Sequence, residues 1–417
     1  MLRILHTSDW HLGQFFIGKS REAEHRAFFR WLCDTVTAQQ IDVVLVAGDI
    51  FDTTTPPSYA RELYHQLIVD LQPLAVQLVL LGGNHDSVAV LHESAELLRC
   101  LNTVVVPGYV TDISKHLLTL HNKAGEPAAV LAAVPFLRPR DLSQRADFRS
   151  SSGVEAADKQ LQLQQQISQV YQELYQAALQ QAETLSPGAQ LPVIATGHLT
   201  TVGVSSTESV REIYIGTLDA LPASAFPPFA YVALGHIHQA QKVGGSEFIR
   251  YSGSPLALSF DEARQQKYCL QVSFEADAVQ VEALPLPRFQ PLCSVKSDLA
   301  SLPALLAPEL HNLADGQRLW LELVLSGDSA LLSDVQLQLE QLLAPLPVDL
   351  LRLRRERPAT AAGITDSGLS LQELTPADVF AARLAQEELS DELQQRMVQL
   401  HQQALDLLQQ AEAQEQH

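Results

Sequence analysis

Over the first 275 residues, short apolar β-rich runs alternate with stretches whose apolar positions recur every three or four residues. The runs Arg3–Thr7, Ile41–Ala47, Gln77–Leu81, Thr103–Val106, Ala128–Val134, Leu191–Thr196, Tyr231–Leu234, Phe248–Tyr251 and Lys267–Phe274 predict strands. Glu22–Gln39, Ser58–Leu71 and Val90–Leu101 predict helices. Gly153–Thr184 is Gln-rich but carries Leu163, Ile167, Val170, Leu174 and Ala178 on one helical face, so it reads as a packed helix. Such alternation describes an α/β layered domain.

The pattern breaks around Leu284–Pro287, which sets the end of a first domain at residue 283. Beyond it an alternating strand (Leu319–Leu325), a helix (Asp334–Leu343) and a strand (Val348–Leu353) predict a small α+β domain over residues 284–357. Arg352, Arg354, Arg355 and Arg357 close it as a basic cluster, read either as a solvated edge strand or as a phosphate contact. Residues 358–374 form a small-residue linker, and residues 375–417 a helical tail opened by Thr375-Pro376. Leu393, Met397, Leu400, Ala404 and Leu407 make one apolar stripe on that tail, which must be buried on the parent domain or on a partner.

Composition narrows the classes. With 417 residues, 46% of them apolar and 18% charged, the chain can build two or three domains with a large core. No apolar run approaches the ~18–20 residues of a membrane span, and Met1–His6 has no signal-peptide pattern, so a cytoplasmic protein is expected. Four scattered cysteines, Cys33, Cys100, Cys269 and Cys293, form no metal or disulfide framework and are expected to be buried free thiols. The net charge of −20 argues against a nucleic-acid partner until its distribution is considered. Residues 276–417 hold 9 basic and 21 acidic side chains, whereas residues 1–150 hold 13 and 16. The first part is therefore near balance, and bound divalent ions would add positive charge there.

Five motifs each follow a predicted strand: Asp9-Trp10-His11, Gly48-Asp49-Ile50-Phe51-Asp52, Gly83-Asn84-His85-Asp86, Gly197-His198 and Gly235-His236-Ile237-His238. Loops at the carboxyl ends of strands are where sites gather in open α/β sheets, so the five can converge. The pairs Asp9/His11 and His236/His238, two residues apart, would face one side of an extended chain. Asp9, His11, Asp49, Asn84, His198, His236 and His238 together mix carboxylate, imidazole and amide oxygen, a set suited to manganese or a similar first-row ion. Two such ions form a clamp for in-line displacement at phosphorus. His6, His25 and His65 lie outside these motifs and are read as structural. Lys19, Arg21 and Arg26 follow the first motif as basic candidates for contact with a phosphate-bearing partner.

These motifs resemble the calcineurin-like metallophosphoesterase superfamily. Thr7-Ser-Asp-Trp-His-Leu-Gly13, Gly197-His-Leu-Thr-Thr201, Ile213-Tyr-Ile-Gly216, Gly235-His-Ile-His238 and Tyr251-Ser-Gly-Ser-Pro255 resemble its SbcD family of bacterial nucleases. The resemblance implies a layered β-sandwich flanked by helices, a small α+β DNA-capping domain and a helical tail docking on the SbcC-type coiled-coil ATPase. It implies one metal at Asp9, His11, Asp49 and His238, and another at Asp49, Asn84, His198 and His236, with manganese expected and magnesium possible. His85 would protonate the leaving oxygen, and Asp52 would hold His85. Asp86 is read either as a support of the ligands or as a helix cap. An ATP-dependent 3′-to-5′ double-strand exonuclease and single-strand endonuclease is implied, acting on DNA ends and hairpins within a two-plus-two heterotetramer. A phosphoesterase of nucleotides or phosphoproteins is the alternative.

Overall fold

A computed structural model describes residues 1–142, 156–188, 191–210, 220–275, 278–326 and 335–355, with Leu384, Arg396, Met397, Leu400 and His401 as isolated positions beyond. The linker and nearly all of the expected tail lie outside the described residues, as does the Ile213–Gly216 motif.

The chain begins with β1 (Leu2–Thr7), the short hairpin β2 (Phe15–Phe16) and β3 (Lys19–Ser20), and α1 (Glu22–Ala38). Then come β4 (Val43–Val46), α2 (Ser58–Leu71), β5 (Gln77–Leu81), α3 (Val88–Glu93), α4 (Ala95–Arg99) and β6 (Thr103–Val106). The next stretch holds β7 (Leu117–His121), β8 (Pro127–Ala132), α5 (Pro139–Leu142), α6 (Ala156–Leu185), β9 (Val193–His198) and β10 (Tyr231–Gly235). It closes with β11 (Gln241–Lys242), β12 (Ile249–Tyr251), β13 (Tyr268–Glu275) and β14 (Ala278–Pro285).

Two six-stranded sheets result, ordered β14-β13-β1-β4-β5-β6 and β11-β12-β10-β9-β8-β7. Their inner faces pack on one another through Ile4, Val43, Leu45 and Val79 from the first and Leu131, Ile194 and Ala233 from the second. The alternate residues Leu5, Val44, Val46, Leu78 and Leu80 turn outward onto Phe28, Leu32 and Leu67 of α1 and α2. Strands buried on both faces explain why these segments are uninterrupted apolar runs rather than alternating ones. The second sheet is covered by α6, whose Ile167, Val170 and Leu174 meet Val130, Ala132 and Ala195. This is the layered α/β sandwich expected from the sequence.

Some elements differ from expectation. The predicted helix Val90–Leu101 is two short helices separated at Ser94, whose backbone (φ −107°, ψ 0°) ends one and begins the next. The Ser94 side chain makes no capping hydrogen bond to the helix that follows, so the break lies in the backbone itself. Strand β14 pairs with β13 as far as Pro285 opposite Tyr268, so the first sheet runs past the boundary placed at residue 283. Cys100 is exposed, not buried, while Cys269 and Cys293 are buried.

The small domain comprises β15 (Leu292–Ser297), α7 (Leu302–His311), β16 (Leu319–Leu325), α8 (Val335–Leu343) and β17 (Val348–Arg355). Its three strands are parallel, in the order β15-β16-β17, so it repeats a strand–helix–strand unit. Leu319, Leu321, Leu323 and Leu325 face the helices, whereas Trp320 turns toward the first domain. There its ring stacks on Phe16 with centroids 5.6 Å apart, and Lys19 Nζ reaches Asp349 at 2.9 Å. An aromatic pair of this kind contributes about 0.5–1.5 kcal/mol beyond its burial. Among the described residues no helix is long and apolar enough to cross a membrane.

Candidate metal centre

The first sheet supplies the loops after β1, β4 and β5, and the second supplies the ends of β9 and β10. Asp9, His11, Asp49 and His236 adopt left-handed backbone, with φ of 55°, 48°, 51° and 93°. Non-glycine residues there cost about 1–3 kcal/mol each and persist only where surroundings over-determine them. The surroundings do so here: Asp9 N–H donates to Gly48 O (3.0 Å), His11 N–H to Asp49 O (3.1 Å) and His236 N–H to Asp9 Oδ1 (2.9 Å). Asp9 and His11 thus reach one site through tight turns rather than the extended chain expected.

Two glycines are sterically required. A Cβ on Gly48 would lie 2.2 Å from His198 Nδ1, and one on Gly83 would lie 2.1 Å from Asp49 Oδ1. Their loops pass too close to the site for any side chain.

Donor atoms of Asp9, His11 and His238 lie within 4.8 Å of one another, and so do those of Asp49, His198 and His236. Asp49 Oδ2 stands between the two groups, 3.7 Å from His11 Nε2 and 3.3 Å from His198 Nε2. Asn84 Oδ1 is 2.8 Å from His198 Nε2. The structure therefore brings together all seven expected ligands.

Two of the rings make a strong case for a cation. His11 Nε2 and His236 Nε2 are buried and have no hydrogen-bond partner, a costly state for a polar atom unless an ion completes it. His198 Nδ1 donates to Ala47 O (2.9 Å), which turns its Nε2 toward Asp49. Without a cation, protons stand in for it. Burial opposes charge on both members of the pair. The Asp49 carboxylate nonetheless holds His198 up at about 9, and His198 holds Asp49 well below the carboxylate range. The donor set and these orphaned atoms fit divalent metal.

Asp52 lies against both His85, its expected partner, and His11, with donor atoms of the three within 4.8 Å of one another. Its carboxylate accepts from His11 Nδ1 (3.1 Å), the arrangement that fixes a ligating imidazole. Its backbone carbonyl accepts from His85 Nδ1 (2.7 Å). Asp86 accepts from Gly83 N–H (2.8 Å), Phe51 N–H (2.9 Å) and Ile50 N–H (3.1 Å), tying two ligand loops together. The next helix is capped by Ser87 instead. Burial, helped by the Asp49 charge, pushes the Asp86 carboxyl up to about 6. Ser8, which donates to Asp9 Oδ2 and contacts Ser252 Oγ at 2.8 Å, was not singled out by sequence; its place beside the first motif was the available signal.

Among the structural histidines, His6 Nδ1 meets Tyr231 Oη (2.9 Å) and His25 Nε2 meets Trp10 O (2.8 Å). Arg21 is not a DNA contact: it is buried, chelates Glu24 and donates to Ala257 O. Lys19 and Arg26 pair with Asp349 and Glu22. On β17, Arg352 and Arg354 pair with Glu322 and Glu208, and Arg357 lies outside the described residues.

Residues 2–240 match the family described as calcineurin-like phosphoesterase, and residues 288–388 the one described as type 5 capsule protein repressor C-terminal domain. The chain is 46% identical over 400 residues to the SbcD subunit of nuclease SbcCD from Escherichia coli (strain K12), covering 95% of this chain and 96% of that one. It is 35% identical over 398 residues to the SbcD of Rhodobacter capsulatus, covering 91% and 94%. With the SbcD of Bacillus subtilis it shares 32% identity over 277 residues, 64% of each.

Proposed function

The chain belongs to the calcineurin-like phosphoesterases and, within them, to the SbcD family, and on that premise we propose that it is the DNA-cleaving member of a complex with an SbcC-type coiled-coil ATPase. It is a metal-dependent phosphodiesterase. The observation that carries the reading is the pair of buried donor clusters on either side of Asp49, with orphaned Nε2 atoms in both.

Asp9, His11, Asp49 and His238 would hold one ion, and Asp49, Asn84, His198 and His236 a second, most suitably manganese, with magnesium as the other candidate. When bound, the two ions supply the charge that attracts a phosphodiester, activates water and stabilises the transition state. The protein's own residues do the rest. Asp52 and Ala47 hold His11 and His198 in the tautomers that turn Nε2 inward. His85, anchored through Nδ1, gives a proton from Nε2 to the departing 3′-oxygen. Asn84 and Asp52 are its partly exposed neighbours, so this edge of the site is open to substrate.

The substrates are DNA ends and hairpins: ATP-dependent 3′-to-5′ exonuclease action on duplex and endonuclease action on single strands, in cytoplasmic recombination, repair and replication. Two such chains would join two ATPase chains. The small domain would cap DNA, and the tail from residue 375 would grip the ATPase. Ending the chain at Ala361 is then expected to leave manganese-dependent cleavage and abolish ATPase binding.

The test is cleavage of linear duplex, hairpin and a small phosphomonoester with manganese, with and without the ATPase and ATP. Cleavage of both DNAs, with the ATP effect confined to the complex, is expected. Turnover of the phosphomonoester alone, unaffected by loss of the last third of the chain, would overturn the reading in favour of a nucleotide or phosphoprotein phosphoesterase.

A further inference from the structure

Behind His238 lies a buried polar network that neither the motifs nor the mechanism uses. His238 Nδ1 is 2.6 Å from Ser209 Oγ, and Ser209 in turn donates to Glu262 Oε1. Thr207 Oγ1 donates to the same oxygen at 2.8 Å. Glu262 Oε2 receives Lys267 Nζ at 2.6 Å and Leu258 N–H at 3.0 Å. Lys267 also reaches back to the His238 carbonyl oxygen at 2.9 Å and to Ser254 Oγ at 3.1 Å. Glu262 has no exposed surface and Lys267 only 8%.

Counting protons gives the network a direction. An ionised carboxylate only accepts, and the ammonium beside Glu262 keeps it paired in that form. The Ser209 proton points at Glu262; Thr207 Oγ1 lies against the same oxygen and 3.0 Å from Ser209 Oγ, and that oxygen stands 3.5 Å from His238 Nδ1, where an anion favours an N–H. Ser209 Oγ is left to accept from His238, which places a hydrogen on Nδ1 and the lone pair on Nε2. That lone pair then belongs to the nitrogen available to the cluster with Asp9 and His11.

We propose that Ser209, aligned by the Glu262–Lys267 pair, is a positioning residue that holds His238 in its metal-donating tautomer and ring orientation. The proposal rests on the two-ion reading above. It adds that the segment 207–209 and the segment 258–267, both outside the five motifs, determine how well one of the two ions is held. Partners behind a ligating histidine typically change metal affinity by about 10–100-fold when lost.

The experiment is a calorimetric Mn²⁺ titration of the metal-stripped full-length chain, with Ser209→Ala and Ser209→Thr beside the parent. Ser209→Ala is expected to weaken one of two Mn²⁺ sites by about 10–100-fold and leave the other unchanged. Ser209→Thr, which keeps the hydroxyl, is expected to restore it, and the melting temperatures of the metal-free proteins are expected to agree. Unchanged Mn²⁺ binding in Ser209→Ala would overturn the assignment. So would equal weakening of both sites, failure of threonine to restore binding, or a lowered metal-free melting temperature with normal affinity. A parent chain that takes up no Mn²⁺ would overturn the two-ion reading itself, and this assignment with it.

Discussion

The two donor clusters are made of the same residue types but braced differently. In the first, His11 gives Nδ1 to the Asp52 carboxylate and His238 Nδ1 faces Ser209, which leans on Glu262. In the second, His198 gives Nδ1 to the neutral Ala47 carbonyl. An anionic partner makes the ligating nitrogen more basic than a neutral one does. On the two-ion reading, the site at Asp9, His11 and His238 would be the tighter one, and that at Asn84, His198 and His236 the more exchangeable. Asp49 Oδ2 faces one ring of each, His11 and His198.

The largest effect should come from removing what the clusters share. Asp49→Asn keeps the shape, deletes the common charge, and is expected to lose at least one ion and about 10³-fold or more of the cleavage rate. Elemental analysis showing full metal content together with normal turnover would break the two-cluster description. In the proposed ligand sets His85 holds no ion, although its ring shares a donor group with His11 and Asp52. Its replacement by alanine is expected to leave metal content and DNA binding intact and slow cleavage by about 10²-fold; metal loss in that variant would make His85 a ligand.

Asp52→Asn probes the asymmetry directly. It should weaken the first site about 10-fold and the second hardly at all. Equal weakening, read by Mn²⁺ titration, would erase the proposed difference.

The smallest effect concerns histidines outside both clusters. Asp49 and its neighbours raise His198, whereas burial pushes His6 and His25 down to about 3 from an ordinary 6.5. An unfolded chain protonates these two rings below about pH 6.5, and the folded chain resists until about 3. The stability they contribute is therefore complete above pH 6.5 and is lost as pH falls toward 3. Melting temperatures between pH 7 and 4.5 should fall less steeply when His6 is replaced by asparagine; an unchanged slope would remove His6 from the account.

The candidate donors were legible because each follows or ends a strand, and strands buried on both faces stand out as apolar runs. What holds the ligands was not legible. Asp52 lies 41 residues from His11, and Ser209 lies 53 from Glu262. Such pairings depend on loop conformation, and no local pattern announces them. Strand β14 escaped notice because most of it is exposed, which leaves little apolar signal. Helix α7 carries Pro308 inside it, a residue that sequence reasoning treats as a stop. Arg21 read as a surface cation because its partner Glu24 is also charged, and only the fold shows that both are buried.

Each cluster draws donors from both sheets: Asp9, His11 and Asp49 from the first, His198, His236 and His238 from the second. An ion bound in either place is thus a rivet through the sandwich. Binding to the assembled pair of sheets and not to the open chain adds to folding stability by mass action, about 4 kcal/mol when free metal is a thousand times its dissociation constant. Chelation should therefore be felt first as loosening between layers, with amide protons at the facing ends of β1, β4, β9 and β10 exchanging sooner than those at the opposite ends of the same strands.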